Sequence, residues 1–279
     1  MRYAFNIQLS FLFSTKFRTL IPGGGTDGGS PFMAEQLNHT NSEIVYVDFS
    51  KASMSIAQLR TKMRKSHNMV WVTDWLESIP RLGLGTFELV ICTGVLHHLK
   101  NPQEGLNILN EVQSKYGGAS LFVYGKYGRI GVYQIQALLR NINLPIETID
   151  SELGNAKLVL KILPRKHWFL EQFTGDHQTM GDVGIYDILL HKRDVSYSVS
   201  DLYKWVKRSG YTFVDFTPEV KNILSLSLRI DDKLLFRQLS TINIPKQQSI
   251  YESILGYITK QDFYVTKNNN HGKLGHGKT

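Results

Sequence analysis

Three aspartates and a run of glycines are spaced in this sequence to hold a ligand that carries a nucleoside. Gly23-x-Gly25-x-x-Gly28 follows the strand candidate Phe17–Pro22, and Asp48 lies twenty residues beyond Gly28. Glycines suit a turn where chain and ligand approach closely, and they tolerate positive φ. A carboxylate such as Asp48 accepts from both hydroxyls of a ribose, with Phe49 next to it. Asp74 can accept from an adenine amino group, with Trp75 as a neighbouring apolar wall. Farther on, the chain reads Thr93-Gly94-Val95-Leu96-His97-His98. A histidine there can take a proton near neutral pH. Each feature also has a plain structural role. The glycines can be a bare turn, Asp48 a turn acid and Asp74 a helix cap. One histidine can pack in the interior while the other caps the next helix, and Cys92 reads as a core residue.

Two ligands compete for the glycine loop. The spacing from Gly23 to Gly28, with an acid twenty residues on, is literally the dinucleotide fingerprint, which implies a nicotinamide cofactor and hydride transfer. That cofactor rests its pyrophosphate on the N–H groups at a helix start. Asp27 sits in the middle of the loop, where a carboxylate would repel a pyrophosphate. A sulfonium donor with an ammonium group and no phosphate suits an acidic loop better, so Asp27 favours S-adenosylmethionine.

The elements that position these residues alternate along the first half. Phe17–Pro22 reads as a strand, followed by a helix over 30–38 with Ser30 as cap and Pro31 in its first turn. Strands over 43–47, 70–73, 87–92 and 119–124 follow, with helices over 50–66 and 103–115 between them. Strands separated by helical crossovers require a mostly parallel sheet with helices on both faces, and its ligand crevice lies beyond the carboxyl ends of the strands. After residue 130 the pattern turns helical and irregular. Residues 200–209 then predict a helix, Tyr211–Phe216 a sixth strand and 262–266 a last one, with 223–230 as a rival for that place.

Composition narrows the class. The 279 residues are 42% hydrophobic and 20% charged, a globular balance long enough for a large core. The net charge of +8 falls to +5 once Lys260, Lys267, Lys273 and Lys278, opposed only by Asp262, are set aside. A dedicated nucleic-acid surface is therefore not expected. No stretch reaches the ~18 apolar residues of a membrane span, and the single cysteine excludes a disulfide framework or a cysteine-rich metal module. No metal site is expected. A cytoplasmic location is expected, with a mitochondrial one as the alternative, because residues 1–26 lack acids and hold Arg2, Lys16 and Arg18.

The stretches Leu20-Ile21-Pro22-Gly23-Gly24-Gly25-Thr26, Val45-Tyr46-Val47-Asp48-Phe49-Ser50, Val72-Thr73-Asp74 and Phe87-Glu88-Leu89-Val90-Ile91-Cys92-Thr93-Gly94-Val95-Leu96-His97-His98-Leu99 come in the order of class I S-adenosylmethionine-dependent methyltransferases. The chain resembles that family over about residues 17–127, and the last stretch resembles its small-molecule branch. Asp27 stands where the family has its third glycine, with Gly28 one place late. About sixteen residues precede the first strand, where the family usually carries a helix, which leaves a truncated form open as one reading.

The resemblance implies a doubly wound, seven-stranded α/β sheet of the Rossmann-like methyltransferase type, with a helical insertion after strand five. It implies that Gly23, Gly25, Thr26, Asp27 and Gly28 wrap the donor's methionine and ribose. Asp48 and Phe49 would hold the ribose side, Asp74 and Trp75 would flank adenine, and Thr93, Gly94 and Val95 would line the methionyl side. The acceptor, expected to be a small molecule, would meet His97, His98, Tyr127, His177 and Tyr186. The domain reading is a donor-binding core over 1–140, an insertion and possible lid over 141–195, the rest of the core over 196–267, and a disordered tail over 268–279. A nicotinamide-dependent oxidoreductase and a non-catalytic methyltransferase-like scaffold remain the alternatives.

Overall fold

Five β-rich segments of this chain are joined by helices, so their strands run parallel, and burial follows from that topology. The computed structural model describes residues 17–26, 29–143, 148–172, 181–225 and 232–267. Asp27, Gly28, His177, the tail from 268 and part of the rival strand over 223–230 lie outside the described residues. The strands are β1 (Phe17–Pro22), β2 (Ser42–Val47), β3 (Met69–Val72), β4 (Phe87–Thr93), β5 (Gln113–Gly125), β6 (Ser196–Tyr197), β7 (Tyr211–Phe216) and β8 (Lys260–Lys267). They form one sheet in the order β3-β2-β1-β4-β5-β8-β7, with the two-residue β6 beside the end of β5. The β1–β2, β2–β3, β1–β4 and β4–β5 pairs are parallel, and β7–β8 is antiparallel. The sheet is thus the mostly parallel, Rossmann-like one expected, with β6 added.

The chain divides into two compact units. The first comprises the described residues within Met1–Val123, Leu202–Ile223 and Asp262–Thr279. Its core lies on both faces of the central strands, with Leu20, Ile44, Val45, Val90 and Cys92 all buried. Helices α1 (Gly29–Leu37), α2 (Lys51–Met63) and α3 (Pro102–Val112) supply its crossovers. Ser50 caps α2 by accepting the Ser53 N–H at 3.2 Å, as the sequence predicts. The helix expected over 103–115 ends at Val112, however, and Gln113 already pairs with Phe87 in the sheet. Between Phe87↔Gln113 and Leu89↔Gly118 the register shifts, so residues 113–118 form a bulged strand rather than the end of a helix and a loop.

The second unit comprises the described residues within Tyr124–Asp201 and Leu224–Gln261. It holds α4 (Ile130–Ile142), α5 (Ile149–Ile162), α6 (Trp168–Gln172) and α7 (Gly181–Ile185), followed by a π turn at Tyr186–Leu190. Val132, Ile135, Leu139, Val159, Phe169 and Ile188 form its apolar centre. Beside that centre lies a buried ion pair, Arg129 Nη2 to Asp194 Oδ2 at 2.8 Å, with both side chains almost wholly out of water. Tyr133 and the Gln136 amide also donate to Asp194, and the Arg129 guanidinium lies 3.5 Å from the centre of the Tyr124 ring. Removing one partner of such a pair strands a buried charge and costs about 3–5 kcal/mol.

Glu252, on helix Ile244–Leu255, is fully buried. It accepts the Val199 N–H at 2.7 Å and the Gln261 amide at 2.8 Å. Burial pushes its carboxyl up to about 7, against the backbone hydrogen bond from Val199. A raised native value means that the folded chain holds the proton more tightly than the unfolded one. The stabilisation is whole below the ordinary value and fades as pH rises toward 7. Glu252→Gln, uncharged at every pH, is therefore expected to be more stable than the wild type at pH 8, by up to about 3 kcal/mol. That advantage should disappear toward pH 5, and thermal unfolding of both proteins at the two pH values checks it.

Candidate functional site

The carboxyl ends of β1, β2, β3 and β4 open on the same side of the first unit, because the strands are parallel, and the residues singled out from the sequence follow them. At β1 the chain turns through Gly23 and Gly25, whose φ angles are +63° and +58°. A Cβ on Gly23 would lie 2.5 Å from Val95 Cγ2, so the loops after β1 and β4 pack against each other there. A Cβ on Gly25 would meet nothing within 4 Å among the described residues. Thr26 is exposed, and Arg60 on α2 donates to its carbonyl.

Asp48 directly follows β2 and is 5% exposed. Its Oδ2 accepts the Gly25 N–H at 2.9 Å and its Oδ1 the Ser50 N–H at 2.8 Å. The Tyr46 hydroxyl lies 3.3 Å from Oδ2 and 2.7 Å from the Gly25 carbonyl, so its single proton serves the carbonyl. The loop is thus tied at both polar atoms of Gly25 to the end of β2. Each carboxylate oxygen keeps a further lone pair, enough to accept a ligand hydroxyl.

Phe49 and Trp75 are both exposed, and their rings lie parallel, 4.3 Å apart and 2° from coplanar. Asp74, just before Trp75, accepts from Ser78 and from the Trp75 N–H, which hold its carboxyl below the ordinary value. After β4, Thr93 is exposed, Gly94 has φ +75° and Val95 is half-buried against Gly23.

The histidines separate in exposure. His97 is fully buried, its ring against His98 at 4.2 Å and Phe122 at 5.6 Å, whereas His98 is half-buried. Neither caps the next helix: Asn101 does so, accepting the Glu104 N–H. Burial pushes the Cys92 thiol up, which fits its place in the core. Tyr127 and Tyr186 are both half-buried in the second unit. Among the described residues, no three His, Cys, Asp or Glu side chains are grouped to hold a metal ion.

Tyr46 and Arg60 were not singled out by sequence reasoning. Tyr46 reads only as a β-former at a buried strand position, and Arg60 only as a solvated helix residue. Their partners are backbone carbonyls, which leave no mark in a sequence.

Residues 23–118 match the family model described as "Methyltransferase domain". An uncharacterised protein of Synechococcus sp. is 27% identical over 213 residues, covering 72% of this chain and 48% of its own length. Among solved structures, PKMT2 from Rickettsia typhi in complex with AdoHcy superposes with a TM-score of 0.66 at 13% identity, covering 91% of this chain and 49% of that one. The CurJ carbon methyltransferase superposes with a TM-score of 0.51 at 13% identity, covering 92% and 50%. The chain therefore spans about half the length of these relatives. Fold and family match agree: the chain has the Rossmann-like fold of the methyltransferases it is similar to, and residues 23–118 match a methyltransferase domain.

Tyr46→Phe keeps the ring that packs against Met54 and Ala57 but removes the bond to the Gly25 carbonyl. It is expected to cost about 1 kcal/mol, or ~2–4 °C in melting temperature. An unchanged melting temperature would mean that the hydroxyl does not hold the loop.

Proposed function

We propose that the crevice at the ends of β1 to β4 binds S-adenosylmethionine and that the protein transfers its methyl group to a small-molecule acceptor. The observation that carries this reading is the carboxylate of Asp48 hydrogen-bonded to a left-handed Gly25 beside the stacked Phe49–Trp75 pair. Asp48 takes the ribose hydroxyls on its remaining lone pairs. Phe49 and Trp75 offer flat faces to adenine, so the ligand either parts the two rings or stacks on one of them. The backbone at Gly23, Gly25 and Thr26 lies along the methionyl side with Thr93, Gly94 and Val95; Asp27 and Gly28, outside the described residues, belong to the same glycine-loop motif by sequence, and the acid there suits a positively charged donor. When bound, the donor supplies an electrophilic methyl group.

The protein's further task is to orient the acceptor for in-line attack and to take its proton where it has one to lose. Among the histidines, His98 is the better placed for that proton, since His97 has no exposed surface. Tyr127, His177 and Tyr186 remain candidates for holding the acceptor. The likeness of the stretch after β4 to the small-molecule branch supports a small acceptor over a protein. No helix among the described residues is long and apolar enough to cross a membrane. The cytoplasm is our reading of the compartment, supported by a single cysteine that is free and buried.

Calorimetric titration with S-adenosylhomocysteine, using NAD and NADP as controls, tests this reading. Saturable binding of the adenosyl ligand alone is expected, weakened about tenfold or more in Asp48→Asn, the scale of lost charge-assisted hydrogen bonds. Binding of NAD instead would turn the reading to an oxidoreductase. Silence from all three ligands in a folded sample would leave a non-catalytic scaffold.

A further inference from the structure

The outward crest of helix α2 is apolar. Met54, Ala57 and Thr61 are the helix's buried residues and face the sheet. Ala52, Ile56, Leu59 and Met63, spaced four, three and four apart, point the opposite way and fall within about 60° of one another around the helix axis. Ile56 is 42% exposed, Leu59 61% and Met63 75%. A single apolar residue in water is ordinary, but a continuous stripe of them along one helix face marks an interaction surface.

The flanks of that crest are basic. By the same helical geometry Lys51 and Lys62 lie along one side and Arg60 and Arg64 along the other, with Lys65 just past the helix end, all exposed. Residues 49–73 hold these five cations and no Asp or Glu. Glu35 on the neighbouring α1 pairs with Arg64 at 3.3 Å, and both of those side chains are well exposed. Arg60 donates to the Thr26 carbonyl, a bond that leaves its charge in place.

The partner must satisfy both the stripe and its flanks. A nucleic acid would take the cations but leave Ile56, Leu59 and Met63 in water, and the crest has no aromatic side chain on which a base could stack. A second copy of this face would set five cations against five of the same sign. An anionic bilayer surface uses both features. We propose that α2 is a peripheral membrane-binding helix that lies flat on anionic phospholipid. Its crest enters the boundary between headgroups and acyl chains, and the lysines and arginines on its flanks reach the phosphates. The contact is adhesion to a surface; no helix among the described residues is long and apolar enough to cross a membrane. The assignment does not depend on what the Asp48 crevice binds.

The test is flotation of the full chain with vesicles of phosphatidylcholine alone and of phosphatidylcholine mixed with phosphatidylserine. Binding to the mixed vesicles is expected to be at least about tenfold tighter, and to weaken as salt rises from about 0.1 M to about 0.5 M. Leu59→Gln, Met63→Gln should lose about tenfold or more in affinity, and so should Lys51→Gln, Lys62→Gln. Both pairs exchange exposed residues for a good helix former, so melting temperatures should stay within about 2 °C of the wild type. Equal binding to both kinds of vesicle, or full binding by either double variant, would overturn the proposal. So would retention of polyuridylic acid in place of vesicles, or a dimer abolished by Leu59→Gln, Met63→Gln in a chain that binds no vesicles.

Discussion

A carboxylate that is 5% exposed has to be hydrogen-bonded, and the arrangement of the strand ends follows from how Asp48 meets that demand. Its donors come from two different connections, the Gly25 N–H after β1 and the Ser50 N–H before α2. One side chain therefore fixes the glycine loop and the start of a helix together. Tyr46, two residues back on the same strand, adds a bond to the Gly25 carbonyl, and Gly24 lies so close to the Tyr46 ring that a Cβ there would sit 2.2 Å from it. Glycine at that position is a packing requirement of the Tyr46 ring.

The chemistry is built outward from that anchor by parallel topology. Because β1 to β4 run the same way, residues far apart in sequence come to one end of the sheet without long-range pairing of their own. The stacked Phe49 and Trp75 are a consequence, as each follows an aspartate at the end of a neighbouring strand. The second unit solves a separate problem, a buried guanidinium. It neutralises Arg129 with Asp194 and surrounds the pair with Tyr124, Tyr133 and Gln136.

The strands of the first half were legible because β-branched and aromatic runs ended by Gly or Asp leave little alternative. Phe17–Pro22 and Tyr211–Phe216 coincide with the expected bounds. Residues 113–118 were not legible. Their polar start continues a helical pattern and their glycine pair resembles a linker, yet Gly117 approaches the carbonyls of Phe87 and Glu88 so closely that only a bulged strand with glycine fits. Tertiary pairing overrode local preference there. The two-residue β6 carries no periodic signal at all. At the strand ends, acids and glycines announced themselves by type and spacing. What each acid bonds did not, since Asp74 is engaged by Ser78 and Trp75 while Asp48 is engaged by Gly25 and Ser50.

The central claim is that the donor lies on the Gly25–Asp48 anchor and the Phe49–Trp75 faces. Amide and indole resonances of isotopically labelled protein, followed while S-adenosylhomocysteine is added, test it residue by residue. The account predicts shifts concentrated at Gly23, Gly25, Ser50, Gly94 and the Trp75 indole, with the amides of β7 unmoved. Shifts that avoid Gly25 and Trp75 and gather elsewhere in the chain would contradict it.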